Sequence, residues 1–277
     1  LVPHLPSGPV LAYATAEPAR VAEVQQQLAL RNHYVQRIER AWGLLSADYY
    51  PVKVTRMPTV DGHPTGPTEL LNYVRKNINS FAPQSLTDFS AYQTVDSERW
   101  KSNVPDGSVL HINMKLDMGV SINTDDGSVV CAEASACHWV FSTVWTPHDL
   151  FHPVSGNRMF GFYDSSVQSP VATSNDYAFS GDLNRYRTKS FTFYTMGSDR
   201  AASVTSRSSP FMLFESQKLI WTHFCKNLVE YISKNNGIAE LQQWRTHPLD
   251  WDRVKPLYSP KQEWVAPAPE DTRWRVL

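Results

Sequence analysis

Apolar residues occupy every even position from Leu110 to Ile122, while the odd positions carry His111, Asn113, Lys115, Asp117, Gly119 and Ser121. A period of two is the signature of a strand with one buried and one polar face. Thr124 to Gly127 predicts a turn, and Ser128 to Trp145 predicts the returning strand. With a four-residue loop, Met114 pairs with Cys137 and Asn113 with His138, so His138 joins His111, Lys115 and Asp117 on the polar face. A three-residue loop with Gly127 left-handed flips the second strand and puts Cys137 opposite Lys115. The first register aligns Val129, Cys131, Cys137, Trp139 and Phe141 with the apolar row and is the preferred one. It also sets Glu133 opposite Met118, partly desolvated, which is a setting for a general acid or base. In either register one of Cys137 and His138 points at the polar row.

Elsewhere the period is nearer 3.6. Val21, Val24, Leu28, Arg31, Val35, Ile38, Trp42 and Leu45 alternate spacings of three and four behind Pro18, which predicts a long amphipathic helix ended by Tyr49-Tyr50-Pro51. Val52 to Met57 reads as a short strand and Thr59 to Gly66 as a turn region. Thr68 caps a second helix with Leu70, Leu71, Val74, Ile78 and Phe81 on one face. Strands are predicted at Phe89 to Val95, Arg158 to Tyr163 and Ser190 to Met196. The polar stretch from Asp164 to Lys189 reads as a long loop. Pro210 opens a third helix whose Trp221, Phe224, Cys225, Leu228 and Ile232 share a face, with Gly237 as its stop. The expected fold is α+β: a curved antiparallel sheet with two N-terminal helices and one long C-terminal helix. The expected organisation is an extended lead-in at 1–16, one domain at 17–243 and a Pro/Trp-rich strap at 244–277.

Composition narrows the function classes. The 277 residues are 42% hydrophobic and 12% aromatic, ample for a packed core, and the formal net charge of −1 leaves no electrostatic footprint for nucleic acid. Arg185, Arg187, Lys189, Arg200 and Arg207, with Asp182 and Asp199 among them, read as a solvated surface. No apolar run approaches the roughly 20 residues that span a bilayer. The chain opens Leu1-Val2-Pro3 without Met, so a processed or secreted chain, or a module excised from a larger precursor, is expected. Cys131, Cys137 and Cys225 are expected as free thiols. The sequence contains no Gly-x-Ser-x-Gly elbow, phosphate loop, dinucleotide fingerprint or Cys-x-x-Cys, so no cofactor is expected.

Two further patterns bear on chemistry. His148 and His152 stand four apart, which on a helix places both imidazoles on one face at metal-ligand spacing. Asp149 replaces the Glu of the zincin pattern and Pro153 ends the turn, so a single turn capped by Thr146 accounts for the same segment.

The order of long helix, short strand, Asp61-Gly62-His63-Pro64 turn, helix at 68–81 and long strands at 89–145 resembles the nuclear transport factor type of cone fold, which includes ketosteroid isomerase and scytalone dehydratase. That resemblance covers residues 20–145. It implies a pocket wrapped by the sheet and points to His111, Asp117 and His138 as pocket residues.

The leading expectation is a soluble enzyme acting on a small or medium organic ligand by acid/base chemistry. His138 or Asp117 would be the base, and Lys115, Asn113 or Arg158 would stabilise charge or bind the ligand. The alternatives are a non-catalytic binding or toxin-like effector module whose segment from Trp244 to Trp274 meets a protein partner, and a Cys137-dependent hydrolase or transferase.

Overall fold

One ten-stranded antiparallel sheet organises the described residues. The computed structural model describes residues 18–60, 62–114, 126–166, 189–202 and 210–255. The strands are β1 (Tyr34–Val35), β2 (Trp42–Arg56), β3 (Thr59–Val60), β4 (His63–Pro64), β5 (Thr87–Ala91), β6 (Val109–Met114), β7 (Gly127–Ala134), β8 (His138–Trp145), β9 (Val154–Asp164), β10 (Phe191–Ala201), β11 (Ile238–Leu241) and β12 (Arg245–Leu249). Ten of them form a sheet of order β11-β2-β10-β9-β8-β7-β6-β5, with β12 also on β2 and β1 on β8; β3 and β4 form a separate pair. The helices are α1 (Pro18–Leu30), α2 (Pro67–Lys76), α3 (Ile78–Phe81), α4 (Thr94–Lys101), α5 (Pro210–Lys234) and α6 (Trp251–Val254). The protein is α+β with the sheet dominant.

The helix expected from Pro18 to Leu45 ends at Leu30. Asn32 turns left-handed at φ 57°, and the N–H of His33 closes back on Leu28 O at 2.9 Å. The next long element is β2, at fifteen residues. Asp48, Tyr50, Val52 and Val54 alternate onto one buried face, so a period of two overrides the helical spacing once β10 pairs along the strand. Pro51 survives inside this strand. Its carbonyl accepts from Gln242 N, so its missing donor faces the gap where β11 gives way to β12.

The segment expected as one return strand splits into β7 and β8. Ser135 Oγ accepts from the N–H groups of Cys137 and His138, and Ser135 N donates to His138 O, closing a turn between them. The register of β6 on β7 pairs Val109 with Val130 and Ile112 with Gly127, which replaces both sequence registers. His138 therefore does not stand opposite Asn113. Asn113 pairs with Asp88 of β5 instead. Lys115, Asp117 and the expected strand beyond Met114 lie outside the described residues, as do the lead-in and residues 256–277.

Other elements agree in place and differ at their ends. Leu70, Leu71, Val74, Ile78 and Phe81 are all buried, but Gly66 stands at the cap with Pro67 in the first turn, and Thr68 caps nothing. The strand expected to Val95 stops at Ala91, because Gln93 and Asp96 build a capping box for α4. The stop of α5 is Asn236, left-handed at φ 63°, while Gly237 donates to Ile232 O at 2.8 Å. A side chain at Gly237 would collide with Ile232. Residues 245–254, expected in an irregular strap, form β12 and α6, and Trp251 packs with Ile38 and Leu45.

Helices α2, α3 and α5 cover one face of the sheet, where Val52, Phe193, Phe160, Trp139, Phe141 and Leu110 form the main core with Leu70, Phe81 and Phe224. On the opposite face α1 lays Val24 and Leu28 over Val109, Val130 and Val144. No helix among the described residues is long and apolar enough to cross a membrane.

Candidate functional site

Three groups of side chains carry chemistry, on different parts of this frame. The first lies between the sheet and the N-terminal half of α5. Arg158 of β9 stands opposite Gly197 of β10, and the guanidinium occupies the space that a side chain at Gly197 would take. Arg158 Nη2 donates to Asp48 Oδ2 at 2.7 Å, and its Cζ lies 4.2 Å from the centre of the Trp221 ring. Burial disfavours the Arg158 charge, but the Asp48 carboxylate outweighs it and holds the guanidinium above its usual value. Asp199 is also buried and accepts from Gln217 Nε2 at 3.2 Å. Burial, reinforced by Asp48, pushes its carboxyl up to about 7, against the pull of Arg158 and Gln217.

Arg158 and Asp199 border a cavity of about 100 Å³, walled by Phe89, Ile112, Met114, Val129, Ile220 and Trp221. Gln217 lines the same cavity, and its Oε1 is buried with no hydrogen-bond partner among the described residues. His152 closes one side. It is buried neutral, with a pKa pushed down to about 4 by desolvation, and its Nδ1 lies 3.1 Å from Val154 O. The enclosure is largely apolar with a few convergent polar groups, the usual make-up of a small-molecule site.

The second group surrounds the turn between β7 and β8. Cys137 Sγ lies 3.6 Å from His138 Nδ1, and His138 Nε2 lies 3.1 Å from Glu133 Oε1. Ser135 Oγ approaches the same Nδ1 at 3.0 Å. Burial raises the Cys137 thiol, but the bonds from His138 and Ser135 outweigh it and leave the thiol below its usual value. Burial likewise opposes the His138 charge, yet Cys137 and Glu133 carry its pKa up to about 9. The two shifts are reciprocal, each group favouring the charged form of the other. By contrast, burial drives the Cys131 thiol far up and the Cys225 thiol up to about 12. All three cysteines are free. A second cavity of about 160 Å³, lined by Arg75, Asn72, Asn103, Ser135 and His138, opens beside this turn.

The third group lies on the face of the sheet away from the first cavity. His111 Nδ1 is 2.9 Å from Asp149 Oδ2 and His148 Nδ1 is 2.6 Å from Asp149 Oδ1. The turn holding His148 and Asp149 is capped by Thr146, whose Oγ1 accepts from Asp149 N, as the sequence alternative allowed. His148 is therefore brought to His111, while His152 faces the cavity.

Among the expected site residues, the structure brings together Cys137, His138 and Glu133, and separately His111 and His148; it sets Arg158 in the cavity. Asp48, Asp199 and Gln217 were missed. Asp48 and Asp199 carry a signal only in hindsight, as polar residues on the inward phase of alternating strands. Arg200, expected on a surface, is buried and donates to Ile38 O and Gly43 O. The chain matches no protein-family model and no curated protein.

Proposed function

We propose that the protein binds a small, mostly apolar organic molecule carrying a hydroxyl-type donor, in the cavity between the sheet and α5. The observation that carries this reading is Gln217, a residue of the wall of this largely apolar cavity whose buried Oε1 has no hydrogen-bond partner among the described residues. A buried polar atom left unmade costs about 1–3 kcal/mol, and a ligand donor there removes the cost. A cavity of this order holds a ring-sized ligand. The expected acid/base enzyme drew on His138 or Asp117 as its base; the present reading keeps a small or medium ligand beside Arg158 but seats it under α5.

The test compares phenol with toluene by calorimetry. The cost of stripping water from the hydroxyl is common to both proteins, so it cancels in the comparison. Gln217→Leu should shift the phenol-to-toluene affinity ratio about tenfold toward toluene. An unchanged ratio would remove Gln217 from recognition.

A second reading, a Cys137-dependent acyl hydrolase or transferase, is favoured by the thiol, imidazole and carboxylate in hydrogen-bonding sequence. In it the Cys137 thiolate attacks an ester carbonyl, the C–O bond breaks, and His138 protonates the leaving alkoxide. Iodoacetamide at pH 7 should then label Cys137 well before Cys131 and Cys225, and His138→Gln should slow that labelling about tenfold or more. Three thiols reacting alike only in denaturant would sink it.

A further inference from the structure

The convergence of His111 and His148 on Asp149 has no part in either reading. His111 comes from β6, and Asp149 and His148 from the turn after β8, so three chain segments apart in sequence, counting Ser128 of β7, meet at one carboxylate. Asp149 is 1% exposed and is oriented by a hydrogen bond from Ser128 Oγ. The turn itself is fixed. Leu150 N donates to Thr146 O at 2.9 Å, and His148 N donates to Tyr92 Oη at 3.2 Å. The ligating atoms of His111, His148 and Asp149 all lie within 4.8 Å of one another.

We propose that His111, His148 and Asp149 form a binding site for a divalent first-row metal ion of the zinc type. Two imidazole nitrogens and one carboxylate oxygen suit zinc and its neighbours and not calcium or magnesium, which take oxygen ligands. Ligand atoms around a tetrahedral zinc stand about 3.3 Å apart, given bonds of about 2.0 to 2.1 Å. From 2.9 and 2.6 Å, the His111 and His148 contacts with the carboxylate need to open by about 0.4 and 0.7 Å, and the imidazoles to draw together. The His148 ring is 78% exposed and free to make that adjustment. Asp126 Oδ2 lies 4.0 Å from His111 Nε2, on the far side of the ring from the metal position. At that distance Asp126 adds negative charge beside His111 but no hydrogen bond, while Ser128 orients Asp149. Three protein ligands leave a fourth position for water on the exposed side.

The experiment is a calorimetric titration of chelator-treated full-length protein with zinc chloride. One equivalent should bind saturably and raise the thermal midpoint, as any ligand selective for the folded state does. His148→Ala and His111→Ala should each weaken binding at least tenfold, whereas His63→Ala, at an exposed histidine elsewhere, should leave it unchanged. Asp149→Asn tests the third ligand. Should its loss of charge at a buried position unfold the protein, the exposed His148→Ala still decides the matter. Absence of saturable zinc uptake, or uptake that survives both histidine variants, overturns the site.

Discussion

At the scale of single residues, Asp199 separates what the sequence conveys from what the fold adds. Read along the chain it belongs to a run of basic residues and looks solvated; in β10 it points into the sheet-helix interface and is buried beside Arg158 and Asp48. Its folded pKa of about 7 lies above the roughly 3.9 of an unfolded aspartate. Between those values the folded protein holds a proton that the unfolded chain has released, so this residue's contribution to stability falls as pH rises from about 4 to 7 and then levels off. Asp199→Asn has no such proton. Urea unfolding should show the variant gaining on the parent between pH 4.5 and pH 8, by a few kcal/mol at most. Parallel profiles would mean that Asp199 ionises normally. Arg158 was legible because a cation on a predicted strand is noticeable, while its partner Asp48 was hidden in a segment read as helix.

At the scale of elements, legibility followed the strength of the period. The α5 face from Trp221 to Ile232 and the α2–α3 face from Leu70 to Phe81 were clear, since each repeats 3.6-residue spacing with large apolar side chains. Residues 35–45 carried the helical spacing, yet they divide into the end of β1, a short 3-10 turn at Ile38–Arg40 and the start of β2, and the pairing of β2 with β10 from Trp42 onward is a non-local contact that no local signal reports. The β7–β8 turn was hidden for another reason. Ala132, Ala134 and Ala136 carry no polarity cue, and Ser135 makes the turn with a single side-chain oxygen. The hairpin register was misplaced independently of that turn: Gly127, expected inside the loop, is itself paired with Ile112, which removes Asn113 as a partner of His138. Cys137 and His138 were still found as candidates because they are adjacent, whatever the phase. The His111–His148 pairing depends on β6 lying beside the turn after β8 and had no sequence signature beyond the histidines themselves.

At the scale of the whole molecule, the antiparallel sheet is sealed on one face by three helices, and the enclosure under α5 is where packing is incomplete. A native core is filled to crystal-like density, and the proposed ligand site rests on an apolar cavity whose wall includes Gln217, with its one unmet buried acceptor. Methyl NMR with added phenol tests this most directly, because Ile112, Met114, Val129 and Ile220 report from the cavity walls. Phenol should shift those methyl signals saturably and leave surface methyls in place. Ile220→Trp, which fills the cavity, should abolish the shifts, and Ile220→Ala should keep them. Shifts scattered over the surface, or cavity shifts that persist in Ile220→Trp, would contradict a ligand site beneath α5.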